Sequence, residues 1–393
     1  MSLNPLNLGP MIRLLSVIGA RPQIIKAAAL SRTISSEFDG KVREVILHTG
    51  QHYDDSMSDV FFREMQIPDP VYNLDIGSSS HGIQTGRMIQ GIEEVIMKEK
   101  PGGVMVYGDT NSTLAGALAA AKLHIPVIHI EAGLRSFNKQ MPEEINRITC
   151  DHVSTLLFSP TLTGISNLAR EGIIHSEKEP YTFDKQGVFH SGDVMYDNTL
   201  FFKELAEKNS TILRDLELQG HPYILTTIHR PSNTDLAENL KNILSGLDGV
   251  ARESQIPVVL PLHPRTAGMI QKLQSQKLFS RDGLSPLVRL IPAVSFLDMI
   301  KLESGASLIA TDSGGVQKEA WFMEKPVVVL REETEWVEII QAGNGRLAGT
   351  SKKRIREAAR HFLESPPASF PPLFGNGNAA REILKVLTTA RWE

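Results

Sequence analysis

The sequence predicts an α/β protein made of two halves, each with its own parallel sheet. Short apolar runs alternate with segments of helical apolar spacing along most of the chain. That alternation lapses over residues 172–187, where mixed charges surround Pro180, and then resumes. At 393 residues the chain is also longer than one core ordinarily organises.

Taken in order, a strand at residues 14–18 is stopped by Gly19-Ala20-Arg21-Pro22, and proline suits the first turn of the helix expected over 23–35. A strand at 45–49 leads into Gly50, Gln51, His52 and Tyr53. Helical spacing follows at 57–65 and 82–98. A strand at 104–107, an Ala-rich helix and a strand at 126–130 form one crossover unit, followed by a strand at 156–159. The second series has strands at 223–228, 257–260, 288–291, 307–311 and 326–330, separated by helical segments. Asn376-Gly377-Asn378 precedes a last helix at 379–389.

Composition excludes several classes. Charged residues at 22% and apolar ones at 41% are those of a globular protein, and a net charge of −4 gives no basic field for nucleic acid. The single cysteine, Cys150, allows neither an intramolecular disulfide nor a multi-cysteine metal site, and it fits a reducing compartment. No early stretch reads as a signal peptide and no apolar run reaches membrane-spanning length, so the expected location is cytoplasmic, off the membrane. Residues 1–10 read as a loose tail. The Asn-x-Thr matches at Asn111 and Asn209 then carry no glycan.

Candidate chemistry concentrates at strand ends. Asp109 and Glu131 follow neighbouring strands, where open α/β sheets bind ligands, and Glu143 and Glu144 come just after. Arg21 and Lys26 put two cations at a helix start, whose free N–H groups already attract anions. Neither a Walker loop nor G-x-G-x-x-G is present there. In the second half, Ser313 can cap a helix, Gly314 and Gly315 let a diphosphate approach the backbone, and Glu319 lies two turns on, suited to ribose hydroxyls. His263 and Arg331 end two other strands of that half, and His229 ends a third. His129 reads as a satisfied core histidine. With no H-E-x-x-H and no Asp-x-Asp pair, no metal site is expected.

Read together, these blocks resemble the non-hydrolysing UDP-N-acetylglucosamine 2-epimerases. The carriers are G-A-R-P-Q-I-I-K, T-G-Q-H-Y, Y-G-D-T-N-S-T-L-A-G, H-I-E-A-G-L-R-S, M-P-E-E-I-N-R, T-I-H-R, L-H-P-R and T-D-S-G-G-V-Q-K-E, in family order. The resemblance implies a GT-B-like fold of two Rossmann-like domains with an interdomain cleft. Residues 11–185 would form the domain with the acid/base groups and 186–374 the UDP-binding domain. Residues 375–393 would be a final helix crossing back to the first. It further implies a homodimer, a UDP-sugar substrate in cell-envelope polysaccharide biosynthesis, no cofactor, and inversion at C2 by elimination and re-addition of UDP.

Carried over motif by motif, Asp109, Glu131, Glu143 and His229 take the catalytic positions. Arg21, Lys26, His263, Ser313, Gly314, Gly315, Glu319 and Arg331 take the substrate-binding ones. Gln51, Arg87, Glu144 and Arg230 match the place where some relatives bind a second UDP-sugar as activator. Two stretches depart from the pattern. Thr334-Glu335-Trp336-Val337-Glu338 stands in place of T-E-R-P-E, and Pro231-Ser232 precedes Asn233 where an acidic residue is common. Asp54 stands near where regulated relatives carry an activator-contacting Gln. The Trp-containing version also resembles 2-epimerases of UDP-2,3-diacetamido-2,3-dideoxyglucuronic acid, the close alternative. A GT-B glycosyltransferase, a hydrolysing epimerase and a UDP-sugar sensor are the more distant ones.

Overall fold

The computed structural model describes residues 11–51, 65–277, 280 and 283–393. The expected tail at 1–10, most of the expected helix at 57–65, and His52, Tyr53 and Asp54 lie outside the described residues. The chain divides into two compact units, Met1–Asn198 with Leu373–Glu393, and Thr199–Pro372.

The first unit carries a seven-stranded sheet, wholly parallel, in the order β3-β2-β1-β4-β5-β6-β7. Its strands are β1 (Ile12–Ile18), β2 (Val42–His48), β3 (Tyr72–Asn73), β4 (Gly103–Tyr107), β5 (Val127–Ile130), β6 (Leu156–Ser159) and β7 (Gly187–His190). The helices are α1 (Arg21–Glu37), α2 (His81–Glu99), α3 (Asn111–Lys122), α4 (Pro142–His152) and α5 (Leu162–Arg170), with α6 (Val194–Asn209) running out of the unit.

Strands β4, β5 and β6 are buried at every position, as expected for a parallel sheet covered on both faces. Val17, Val104 and Val106 meet Met88 and Ile92 of α2 and Ala115 and Ala119 of α3 in one core. The expected interruption at 172–187 is a connection rather than a domain end. It leads into β7, which pairs with β6 in the same sheet, and the unit continues to Asn198.

The second unit holds a six-stranded parallel sheet in the order β10-β9-β8-β11-β12-β13. Counted from its own first strand this is the 3-2-1-4-5-6 order of the Rossmann fold. Its strands are β8 (Ile224–Thr227), β9 (Val258–Pro261), β10 (Val288–Ile291), β11 (Leu308–Thr311), β12 (Val327–Val329) and β13 (Gly345–Leu347). They are interleaved with α7 (Ile212–Asp215), α8 (Pro231–Thr234), α9 (Ala237–Ser254), α10 (Pro264–Ser275), α11 (Phe296–Gly305), α12 (Gly314–Phe322), α13 (Val337–Gln341) and α14 (Lys352–Glu364). Leu244, Leu247, Val258, Leu308, Val328, Ile355 and Phe362 are among its core residues.

The last helix, α15 (Ala379–Thr389), belongs to the first unit and packs on α1. The partly buried Asp197 carboxylate accepts the N–H groups of Ala379 and Ala380, which a helix start leaves unpaired, at 3.0 and 2.9 Å. Arg381 grips Glu37 of α1 with two bonds of 2.7 Å. Burial pushes Asp197 up to about 6.

Candidate active site

Both sheets reverse their strand order once, between β1 and β4 and between β8 and β11. Open α/β sheets bind ligands outside the carboxyl ends of strands at such a switch point. The candidate residues gather at these two places.

At the first, Gly19 follows β1 and Gly108 follows β4. Gly19 has no room for a side chain, since a Cβ would stand 2.1 Å from Thr49 Oγ1 and 2.2 Å from Ser112 Oγ. The buried Gln23 side chain accepts from the N–H of Gly19 and Ala20 and donates to the Tyr107 carbonyl and Thr113 Oγ1, locking the two strand ends together. Gly108 turns with φ +63°, and a Cβ there would come 2.9 Å from Lys26 Nζ. Lys26 Nζ in turn lies 2.6 Å from Glu131 Oε1. Lys26, expected as a phosphate grip, is thus tied to one of the candidate acid/base groups. Arg21 is exposed at the start of α1.

Asp109 is held by a residue the sequence reading did not single out. Arg147 Nη2 lies 2.6 Å from Asp109 Oδ2, and Arg147 Nη1 lies 2.8 Å from Glu144 Oε2. Asn146 adds a bond from its amide to the Asp109 carbonyl at 2.9 Å. Glu144 had been expected as an activator contact. Its carboxylate, on a residue only 1% exposed, instead accepts from the Ser136 and Phe137 N–H groups and from Arg147, so both oxygens are engaged within the fold. Burial alone would raise that carboxyl, but these donors hold it below the ordinary value. Gln51 likewise accepts from Ser112 N and Oγ. Glu143, on the first turn of α4, and Arg87, on α2, are exposed.

At the second switch point, His229 follows β8 and Asp312 follows β11. Asp312 is fully buried and accepts from the backbone N–H of His229 and Arg230 and from the Asn233 amide. His229 Nδ1 lies 3.1 Å from Asp312 Oδ1, which leaves Nε2 as the outer ring nitrogen. Burial would raise Asp312, yet His229 and the Arg230 N–H hold it down. The His263 ring stands 5.8 Å from that of His229, and burial followed by His229 and Arg265 keeps its imidazolium form disfavoured.

Ser313 caps α12, accepting from Val316 N, so the N–H groups of this first turn and the glycines point to one anion-ready end. Trp336 Nε1 donates to the Gly314 carbonyl at 2.9 Å, and its ring lies 4.4 Å from Lys318 Nζ. Arg331 is held by Glu335 through two bonds of 2.7 and 3.0 Å, and Arg230 lies 3.7 Å from the same carboxylate. Glu319 is partly buried near the fully buried Glu303; burial pushes both carboxyls up.

Asp312, Arg147 and Gln23 are the functional neighbours that sequence reading missed, although each lies inside a quoted block. Only pairing in space gives them their role. Among the described residues no group of three or more His, Cys, Asp or Glu side chains could hold a metal ion.

Fold and site together define a two-unit, Rossmann-like nucleotide-sugar enzyme class, with ion-paired carboxylates at one switch point and a capped, glycine-bearing helix start at the other. The family model described as UDP-N-acetylglucosamine 2-epimerase matches residues 36–388. The chain belongs to that family. It is 46% identical to the UDP-2,3-diacetamido-2,3-dideoxy-D-glucuronate 2-epimerase of Pseudomonas aeruginosa, over 96% of this chain and 99% of that protein. It is 39% identical to the UDP-N-acetylglucosamine 2-epimerase of Methanocaldococcus jannaschii, over 97% and 100%. The solved structure of the M. jannaschii enzyme in complex with UDP-GlcNAc and UDP aligns with a TM-score of 0.77 at 40% identity, covering 96% of this chain and 99% of that one. Among the described residues no helix is long and apolar enough to cross a membrane.

Proposed function

We propose that this chain is a non-hydrolysing 2-epimerase that interconverts UDP-N-acetylglucosamine and UDP-N-acetylmannosamine. The observation that carries this reading is the division of labour between the two switch points. Carboxylates with paired cations stand at one, and a capped, glycine-bearing helix start flanked by His229, His263 and Arg331 stands at the other.

In the forward half, a base takes the C2 proton while the C1–O bond breaks and its electron pair leaves with UDP. The product is 2-acetamidoglucal, with a double bond between C1 and C2. A proton then returns to C2 from the other face and a UDP oxygen re-forms the bond to C1, so atoms and charge balance over the cycle. The C2 proton is weakly acidic, which is why its removal needs a positioned base and a stabilised leaving group together.

Asp109, Glu131, Glu143 and His229 are the acid/base set. Two faces of one carbon call for groups on both sides. Arg21, Lys26, His263, Ser313, Gly314, Gly315 and Arg331 hold the diphosphate, and Glu319 the ribose. Lys26 would couple the two tasks, because its ammonium touches Glu131. The enzyme would work as a cytoplasmic homodimer without added metal or NAD, supplying sugar for cell-envelope polysaccharide.

One observation favours a second substrate, UDP-2,3-diacetamido-2,3-dideoxyglucuronate. Thr334-Glu335-Trp336-Val337-Glu338 stands in place of the usual T-E-R-P-E, and the Trp336 ring at that rim lies 4.4 Å from Lys318 Nζ. Incubation of the pure protein with UDP-GlcNAc in deuterated water, without metal or NAD, tests the reading. UDP-ManNAc carrying deuterium at C2 supports it. Free ManNAc with UDP would replace it by hydrolysis. No exchange on UDP-GlcNAc, with turnover of the diacetamido uronate, would move it to the second substrate.

A further inference from the structure

Beneath Asp109 and Glu131 lies a buried charge network that the reaction does not use directly. His129 of β5 and Asp151 of α4 are both 0% exposed. His129 Nδ1 lies 2.7 Å from Asp151 Oδ1, and His129 Nε2 lies 2.8 Å from the carbonyl oxygen of Gly108. Asp151 Oδ2 accepts from the Gly133 N–H at 3.1 Å and faces Arg135 Nη1 at 2.7 Å. Arg135 in turn grips Glu171 through two bonds of 2.8 and 2.7 Å.

Both ring nitrogens of His129 therefore face oxygens. A carbonyl oxygen can only accept, and a carboxylate 2.7 Å from a guanidinium is ionised and can only accept. A neutral imidazole has one N–H and one lone pair, so either tautomer would aim a lone pair at an oxygen at a fully buried position. Only the doubly protonated ring satisfies both contacts.

We infer that His129 is a permanently protonated imidazolium and the positioning residue for Asp109 and Glu131. One of its bonds fixes the Gly108 carbonyl, on the peptide that leads into Asp109. Its other bond fixes Asp151, which holds the N–H of Gly133, two residues past Glu131. Glu131 itself has φ +74° and Gly108 φ +63°, backbone shapes that surrounding contacts must hold in place. The imidazolium bridges these two turns and so sets the spacing of the two carboxylates. The groups facing it are Cys150 and Asp151 of α4, with Arg135 and Glu171 one contact further. Burial alone would favour the neutral ring, and Cys150 and Asp151 overcome that, carrying His129 well above the usual histidine range.

The inference rests on the epimerase reading for its consequence, but its charge state can be measured without any substrate. In protein labelled with ¹⁵N in the histidine rings, one of the 12 histidines should keep both nitrogens protonated at pH 8.5, and that signal should vanish in H129Q. If all twelve are neutral at pH 8.5, the inference is overturned.

For the positioning role, H129Q should keep wild-type UDP binding and KM, while kcat for C2 exchange falls on the order of tenfold to a hundredfold from misplaced carboxylates. H129Q that folds and exchanges at the wild-type kcat also overturns it. A wild-type protein that exchanges neither UDP-sugar would count against the reading of the site, and the ring signals would still decide the charge state. If H129Q does not fold, D151N, which removes one partner of the same ring, should bring the His129 signal to the neutral form by pH 8.5; an unchanged imidazolium there sinks the inference.

Discussion

The two switch points share one topology and do opposite things with charge. At the β1/β4 point three cations are matched to carboxylates within the fold: Lys26 with Glu131, Arg147 with Asp109 and Glu144, Arg135 with Asp151 and Glu171. At the β8/β11 point the fold offers backbone N–H groups, a capped helix start and two histidine rings, and one buried carboxylate, Asp312, organises them. The first arrangement fixes the Asp109 and Glu131 carboxylates in place through ion pairs. The second leaves donors for an incoming anion. A parallel sheet dictates where a site forms, and the residues after each strand dictate its sign.

That contrast can be broken at several points. The largest effect is expected at Asp109. D109N should lower C2 exchange by about 10³-fold while UDP binding stays within twofold (about 0.4 kcal/mol). Unchanged exchange would remove Asp109 from the acid/base set. Next is D312N, which replaces the acceptor behind His229 and disfavours its working tautomer. Steady-state kinetics should show kcat down about 10²-fold, with the pH–rate profile displaced. A loss confined to KM would make Asp312 a scaffold of the helix start alone.

A smaller effect is expected at the rim. W336F removes the indole bond to the Gly314 carbonyl and weakens the contact with Lys318. Titration calorimetry with UDP should show about 0.5–1.5 kcal/mol of lost affinity. Tighter binding would mean that Trp336 blocks the helix start.

The smallest effect on activity is a control away from both points. Asp197 has its carboxyl raised from 3.8 to about 6 by burial. Between those values the folded state holds a proton that the unfolded chain has lost, so stability falls as pH rises from about 4 to about 6 and is level above that. A shift of this size corresponds to roughly 3 kcal/mol. The melting temperature of wild type relative to D197N should drop across that window and stay flat to pH 8, with kcat at pH 8 little changed. A difference that is constant from pH 4 to 8 would remove the ionisation argument.

Much of this was legible in the chain. The strand positions 104–107, 126–130 and 307–311 follow from apolar runs bounded by glycine, charge or proline, which is a local signal. The candidate groups Asp109, Glu131, His229 and Ser313 were found because each directly follows such a run. Three things were not legible. The stretch 172–187 looked like a domain boundary because apolar periodicity lapses there amid mixed charges and Pro180, yet β7 at its end completes the first sheet. Glu144 looked available because helix periodicity does not say which first-turn carboxylate will cap the preceding loop. The pairing of Lys26 with Glu131 was hidden because the two residues are 105 apart in the chain.

By itself, then, the sequence determined the class of most elements, the two-sheet plan and the residue types at the strand ends that carry the candidate site, because these depend on neighbours in the chain. Tertiary structure alone decided which charges cancel. Arg147 reaches Asp109, Asp312 orients His229, and His129 lies between Gly108 and Asp151 only once parallel strands set distant segments side by side. The physical reason is range. Hydrophobic periodicity is written within a turn or two of chain. An ion pair or a protonation state depends on partners at about 3 Å, and only the packed sheet brings those partners together.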